Sequence, residues 1–448
     1  MEQTDLLKGS IPKTLFFFAL PFLLANFIQA LFGAVDMIII GWYEPSESIA
    51  AVSLGAQISM IIIRIAGGLT VGGTILMSQY YGAGRLQDTK ETIGTILTLF
   101  SIVALVLTVL MFLLVDPFLL LLQTPKEAFQ ETRQYVLICS LGNIVIFGYN
   151  SISAILRGLG DSKSPLWFIA IACIINILLD LLFIGQFRWG VAGAAIATVL
   201  AQLASVVFAV FYLKRSNFLF KFEWSNFRIC REKVPSVFRL GIPVTVQDML
   251  TSTSFLFITA IVNSLGYTAT AAVGISSRFV MFAMLPSISF AMALAALVAQ
   301  NMGANQQQRA RTSFFLGIFF SLFFALPFFL WAQISPESIM RIFGADPEVV
   351  RAGTLYMKSF SFDFLLVAFV FCQTGFFNGC GRTRFVMVNG IIAALLLRLP
   401  LSWLFGIGMN GDLWMIGLAA PLASFVQIFV GFLYLRRNRW KIPIIPKE

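Results

Sequence analysis

The sequence contains no histidine, and only 12% of its 448 residues are charged. The first absence excludes histidine-dependent catalytic dyads, imidazole metal ligands and histidine proton relays. The second excludes an ordinary soluble domain, in which about 25% of residues carry charge. Cysteine is scarce, with five residues. Cys139, Cys173, Cys372 and Cys380 fall in or at the ends of apolar segments and Cys230 in a basic one. That spacing makes neither a disulfide framework nor a metal site.

What is present is apolar: 58% of residues are hydrophobic and 47 are phenylalanine. Runs long enough to cross a bilayer, about 20 residues each, recur along the whole chain. We place twelve, at 13–40, 50–77, 93–115, 133–156, 165–186 and 190–213, then 236–264, 271–299, 313–333, 355–378, 385–406 and 414–435. The first is expected to be a retained span and not a cleaved leader, because it is long and more of the same follows. The net charge of +10 would suit nucleic acid, but its placement argues otherwise. Most Lys and Arg fall in the termini and in every second loop, while Glu44, Glu47, Glu337, Asp346 and Glu348 fall in the opposite ones. By the positive-inside rule both termini are expected in the cytoplasm, with the protein in the plasma (inner) membrane.

The halves repeat. MSQYYGAGRLQDTKET (77–92) echoes VAQNMGANQQQRARTS (298–313), ILRGLGDSKS (155–164) echoes FFNGCGRTRF (376–385), and Pro21 echoes Pro243. The register between the copies hardly shifts from the first match to the last. Six spans per copy is an even number, so both copies enter from the same side as parallel repeats, an arrangement that builds carriers. The expected division is a six-helix lobe over 1–213, a cytoplasmic linker over 214–235 and a second six-helix lobe over 236–448. The basic linker reads as an interfacial connector. Glycine-rich 67–84 lacks the Lys-Ser/Thr ending of a phosphate loop and reads as close helix packing. Pro21 and Pro243 are expected to kink the first span of each half.

Seven charges fall four or more residues inside a span: Asp36, Arg64, Asp180, Asp248, Arg278, Asp363 and Arg398. At about 2.5–3.5 kcal/mol each at mid-bilayer, they must be paired or wetted. In the second half, Asp363, Arg398 and Arg278 fall at one depth, counted at about 1.5 Å per residue. With Asp248 they form either an internal charge network or a second coupling or substrate site. In the first half, Asp36, Asp180 and Thr198 all lie in the outer part of their spans, and Asn176 is one turn from Asp180 on the same face. Two carboxylates, an amide and a hydroxyl make an oxygen-rich cation site. It suits Na⁺, which takes oxygen ligands, or H⁺, because neighbouring carboxylates favour holding a proton. The alternative is that the two aspartates only hydrogen-bond neighbouring helices.

These residues resemble the MATE family of multidrug and toxic-compound extruders. The resemblance covers about residues 8–440 and rests on the 6+6 repeat, ALPFLLANFIQALFGAVDMIIIG (19–41), SQYYGAG (78–84), ILRGLGDSKSP (155–165), NILLDLLFIG (176–185) and GVAGAAIATVLAQ (190–202). It implies a V-shaped all-α antiporter that expels small amphipathic, often cationic compounds in exchange for Na⁺ or H⁺. It implies no enzyme activity, no cofactor, no nucleic acid, membrane lipid as surroundings and a monomer. In DinF-like members the coupling cation binds a cluster that maps onto Asp36, Asn176, Asp180 and Thr198, and a proline at which the first helix bends maps onto Pro21. NorM-like members place a glutamate in the seventh span, where this chain reads PVTVQDMLTSTS (243–254), with Asp248 the only acid. A lipid-linked precursor flippase of a related two-lobed superfamily is the alternative. It requires a basic central cavity, for which Arg64, Arg278 and Arg398 are the available residues.

Overall fold

A computed structural model describes residues 4–215, 228–409, 412–437, 439–441 and 445. The described residues are helical with short connections and no strand. In the first half the helices are α1 (Ile11–Tyr43), α2 (Ser46–Gly82), α3 (Leu86–Leu121), α4 (Lys126–Leu141), α5 (Asn143–Gly158), α6 (Lys163–Asp180) and α7 (Gly190–Arg215). In the second half they are α8 (Val234–Asn263), α9 (Tyr267–Gly303), α10 (Gln307–Ile334), α11 (Pro336–Ile342), α12 (Pro347–Phe360), α13 (Phe362–Gly379), α14 (Thr383–Ile391), α15 (Leu399–Trp403) and α16 (Leu413–Arg436). Among the described residues, eleven helices are long and apolar enough to span a membrane, or twelve when the α4–α5 pair, bent by 48° at Gly142, is counted as one span. The chain is an integral, multi-pass membrane protein.

The repeat is visible in the backbone. The α2–α3 turn closes with Gly84 at φ 75°, and the α9–α10 turn closes with Asn305, at the matching place in the second copy, at φ 59°. Asparagine is among the few non-glycine residues that adopt this left-handed conformation readily. Both turns carry the same carbonyl-capping bond, Arg85 N–H to Tyr80 O at 3.0 Å and Gln306 N–H to Asn301 O at 2.7 Å. Gly160 and Gly381 repeat this at the ends of α5 and α13, with φ of 94° and 73°. The i→i+5 bonds recur too: Phe187 N–H reaches Leu182 O at 2.9 Å, and Met409 N–H reaches Leu404 O at 2.8 Å. These close π-helical turns over Leu181–Gln186 and Leu404–Gly408.

The chain forms two compact units that differ from the expected division in their leading segments. One contains Leu24–Ile242 with Met1–Thr4; the other contains Asp5–Leu23 with Pro243–Glu448. Helix α1 therefore passes from one unit to the other just after Pro21, and α8 passes at Pro243. A proline removes one rung of the i→i−4 ladder, so each crossing falls where its helix is most easily bent. Residues 228–242, divided in the sequence between linker and second lobe, belong to the first unit. There Gly72 of α2 meets the α8 backbone at Gly241, an approach that a Cβ on residue 72 would block. Cys230 N–H donates to Thr95 Oγ1 at 3.0 Å. The rest of the expected linker, 216–227, lies outside the described residues.

In the second unit, Leu6, Leu15, Phe18 and Phe22 pack with Phe290, Phe314, Phe376 and Trp440 in one buried core. Arg309 holds the segment before α1, donating to Leu6 O at 3.2 Å, Lys8 O at 2.7 Å and Gly9 O at 2.8 Å. In the first unit, Ile39 and Ile40 of α1 pack with Tyr135 and Cys139 of α4 and with Ala194 and Ala195 of α7. The small residues of α7 let it lie close against α4 and α6.

Candidate functional site

The first unit brings Asp36, Asn176 and Asp180 together and carries Thr198 on α7, which packs against α6. Asp36 projects from α1, Asn176 and Asp180 from the last turns of α6, and Thr198 from the first half of α7. Asp180 is 0% exposed, Asn176 1% and Asp36 7%. Asp36 and Asn176 are the polar side chains that act on Asp180 at close range. Asp180 immediately precedes the first π-helical turn, a local widening of the helix that often marks functional positions.

The polar atoms of this cluster lack partners. Oδ1 of Asp36, both carboxylate oxygens of Asp180, Oδ1 and Nδ2 of Asn176 and Oγ1 of Thr198 are all buried without a hydrogen bond. Buried polar groups are ordinarily satisfied, and an unpartnered carboxylate is the costliest kind to bury. Oxygens of this kind are the ligands that a hard cation takes.

Sequence reasoning missed the wall of the site. Tyr135 and Cys139 of α4 lie within electrostatic reach of Asp36, and Tyr135 also of Asp180. The Tyr135 ring fills the space over Gly55 of α2, where a Cβ would collide with it. Tyr135 and Cys139 are four apart on one helical face, the one available signal, but no charge singles them out. The bend between α4 and α5 also contributes: a Cβ on Gly142 would stand 2.8 Å from Val199 Cγ2, so the glycine admits the stretch of α7 that carries Thr198.

The second unit holds a different arrangement. Asp248, Asp363 and Arg398 line one cavity of about 150 Å³, with Phe255, Met284 and Ser424. Asp363 is 1% exposed and Arg398 9%. The expected network is corrected in one respect. Arg278 does not join it: the residue is exposed on α9 and does not line the cavity, because equal depth along two helices does not fix the face each presents. Asp363 and Arg398 act on each other electrostatically, but Oδ1 of Asp363 and Nε of Arg398 have no hydrogen-bond partner. The Arg398 guanidinium lies 4.9 Å above the Phe255 ring. Arg64, the remaining in-span arginine, is exposed on α2.

The MatE family model matches the chain twice, over residues 21–182 and 243–404. The first match begins at Pro21 and the second at Pro243, in the register of the repeat. A probable multidrug resistance protein, YpnP, of Bacillus subtilis is 29% identical over 98% of this chain and 98% of its own. The multidrug export protein MepA of Staphylococcus aureus is 22% identical over 96% and 95%. Among solved structures, a MOP superfamily transporter from Pyrococcus furiosus superposes with a TM-score of 0.91 at 22% identity, covering 98% of both chains. An outward-facing multidrug resistance MATE family transporter superposes with a TM-score of 0.91 at 21% identity over 98% of both. With both halves matched by its model, the chain belongs to the MatE family, whose members are transporters and not enzymes.

Proposed function

We propose that the protein is a secondary antiporter that exports small amphipathic, often cationic compounds across the plasma membrane in exchange for Na⁺ or H⁺. The observation that supports this best is the set of unpartnered buried oxygens on Asp36, Asn176, Asp180 and Thr198. Empty, the cluster confines two carboxylates in a poorly solvated place, a costly state that a cation relieves. Binding of the cation and of the exported compound are then linked through one conformational equilibrium. Pro21 is the hinge: it sits at the passage of α1 between units, while Asp36 lies further along the same helix. The names of the relatives, multidrug resistance and multidrug export proteins, supply the substrate class. Both termini are assigned to the cytoplasm by the distribution of basic residues.

The test is dye efflux from proteoliposomes under separately imposed Na⁺ and pH gradients. Efflux driven by one of the two names the coupling ion. Efflux indifferent to both, or absent under either, refutes antiport.

A further inference from the structure

The repeat relates the two polar sites and shows what distinguishes them. In the register that carries Pro21 onto Pro243, Asn176 falls on Arg398, Asp180 on Ser402, Asp36 on Ile258 and Thr198 on Ala420. The carboxylate pair of the first unit has no copy in the second. In its place, a fixed cation stands where the first unit has an amide. Arg398 closes a π-helical turn, Ile392–Arg398, that has no counterpart around Asn176, where α6 is regular. The second unit thus departs from the repeat at the residue that carries the charge.

A tethered guanidinium beside Asp363 does not satisfy the cavity. Asp363 Oδ1 and Arg398 Nε, on residues more than nine-tenths buried, remain without hydrogen-bond partners, and both residues line one cavity. A cavity lined by one residue with an unpartnered acceptor and one with an unpartnered donor is matched by a ligand that brings both complements. Its carboxylate would meet Arg398, which suits planar carboxylates, and its ammonium would meet Asp363, with Asp248 beside it. The walls suit an apolar body: Phe255, Met284, Val367 and Phe371 line the same space. About 150 Å³ is below the ~300–1,000 Å³ of a pocket for a whole drug-sized molecule, so the site takes one polar end of it.

We propose that this cavity is a substrate subsite for the zwitterionic end of amphipathic compounds, with Arg398 recognising a carboxylate and Asp363 an amine. The proposal deepens the exporter reading and rests on it for the class of ligand, but it is tested by binding alone. The probe is a rhodamine free acid, a zwitterion at neutral pH, compared with its methyl ester, which keeps the cation and loses the carboxylate. Fluorescence anisotropy with purified protein in detergent gives both affinities without any gradient. The acid should bind about tenfold or more tightly than the ester, the scale of one charge-assisted hydrogen bond. Arg398→Gln should bring the ratio close to one. Where that variant fails to fold because Asp363 is stranded, the neutral pair Asp363→Asn with Arg398→Gln carries the test and should also lose the preference. Asp180→Asn should retain it. Equal wild-type affinities for acid and ester, or an acid preference that survives loss of Arg398, would overturn the subsite. An acid preference that depends on Arg398 in a protein showing no gradient-driven efflux would uphold the subsite and refute antiport.

Discussion

Asp180 is fully buried with Asp36 and Asn176 as its close polar neighbours, and burying a carboxylate there costs more than burying an amide. Asp180→Asn keeps the shape and removes the charge. It should reduce gradient-driven efflux to background while the protein still reaches the membrane and still binds dye. Asp36→Asn should do the same. The double variant should be little worse than either, because residues acting as one unit are not additive. Asn176→Ala and Thr198→Ala each remove a neutral ligand and should lower apparent cation affinity about fivefold, the ~1 kcal/mol of one neutral hydrogen bond. Efflux rates measured against cation concentration separate these outcomes. Wild-type ion dependence in Asp180→Asn would return the residue to a structural role.

At the scale of elements, the irregularities position the chemistry. Gly142 breaks the α4–α5 span and lets α7 approach. Gly142→Ala should displace Val199 and with it Thr198, weakening cation affinity with little loss of expression. A second element-level device joins three helices of the first unit. Lys233, just before α8, forms an ion pair with Asp88 of α3 and donates to the Tyr80 hydroxyl of α2 at 3.1 Å. Arg85 holds the other oxygen of Asp88 at 2.8 Å. Burial alone would lower the Lys233 pKa; the hydrogen bonds to Asp88 and Tyr80 outweigh it and leave the amine above its ordinary 10.5. A raised amine stabilises the fold fully below that ordinary value, and the contribution fades as pH rises through the elevated one. Lys233→Met should cost about 2 kcal/mol, the scale of a hydrogen bond to a charged group, read as a lower thermal midpoint in detergent at neutral pH. The difference from wild type should shrink above pH 10.5.

For the whole molecule, two crossings matter: α1 after Pro21 and α8 at Pro243. A helix shared by two units transmits a change in one to the other only if it bends or shifts where they meet. Pro21→Ala restores the missing rung of the ladder and should slow efflux severalfold while dye binding stays near wild type. Equal loss of both would mean that the proline serves folding. Orientation is checked by single cysteines placed in Arg85–Lys90 and Arg436–Lys441. Both should resist an impermeant thiol reagent in intact cells, and labelling of both from outside would invert the topology.

Composition and periodicity alone determine that the chain spans a membrane, that it does so about twelve times, and that its halves repeat. Each follows from a one-dimensional constraint: lipid admits only long apolar helices, and a duplicated pattern keeps its register. The proposed cation cluster is legible for a related reason. A carboxylate in a span is expensive enough to stand out, and counting residues from the span end gives depth directly. Depth does not give azimuth. For that reason depth alone groups Arg278 with Arg398 and Asp363, although α9 leaves it exposed and away from their cavity. The neutral wall of Tyr135 and Cys139, the passage of α1 and α8 between units, and the unpartnered atoms of Asp363 and Arg398 belong to the tertiary structure. They depend on which helix faces meet, and an apolar sequence that satisfies the bilayer at nearly every position leaves that choice to side-chain packing.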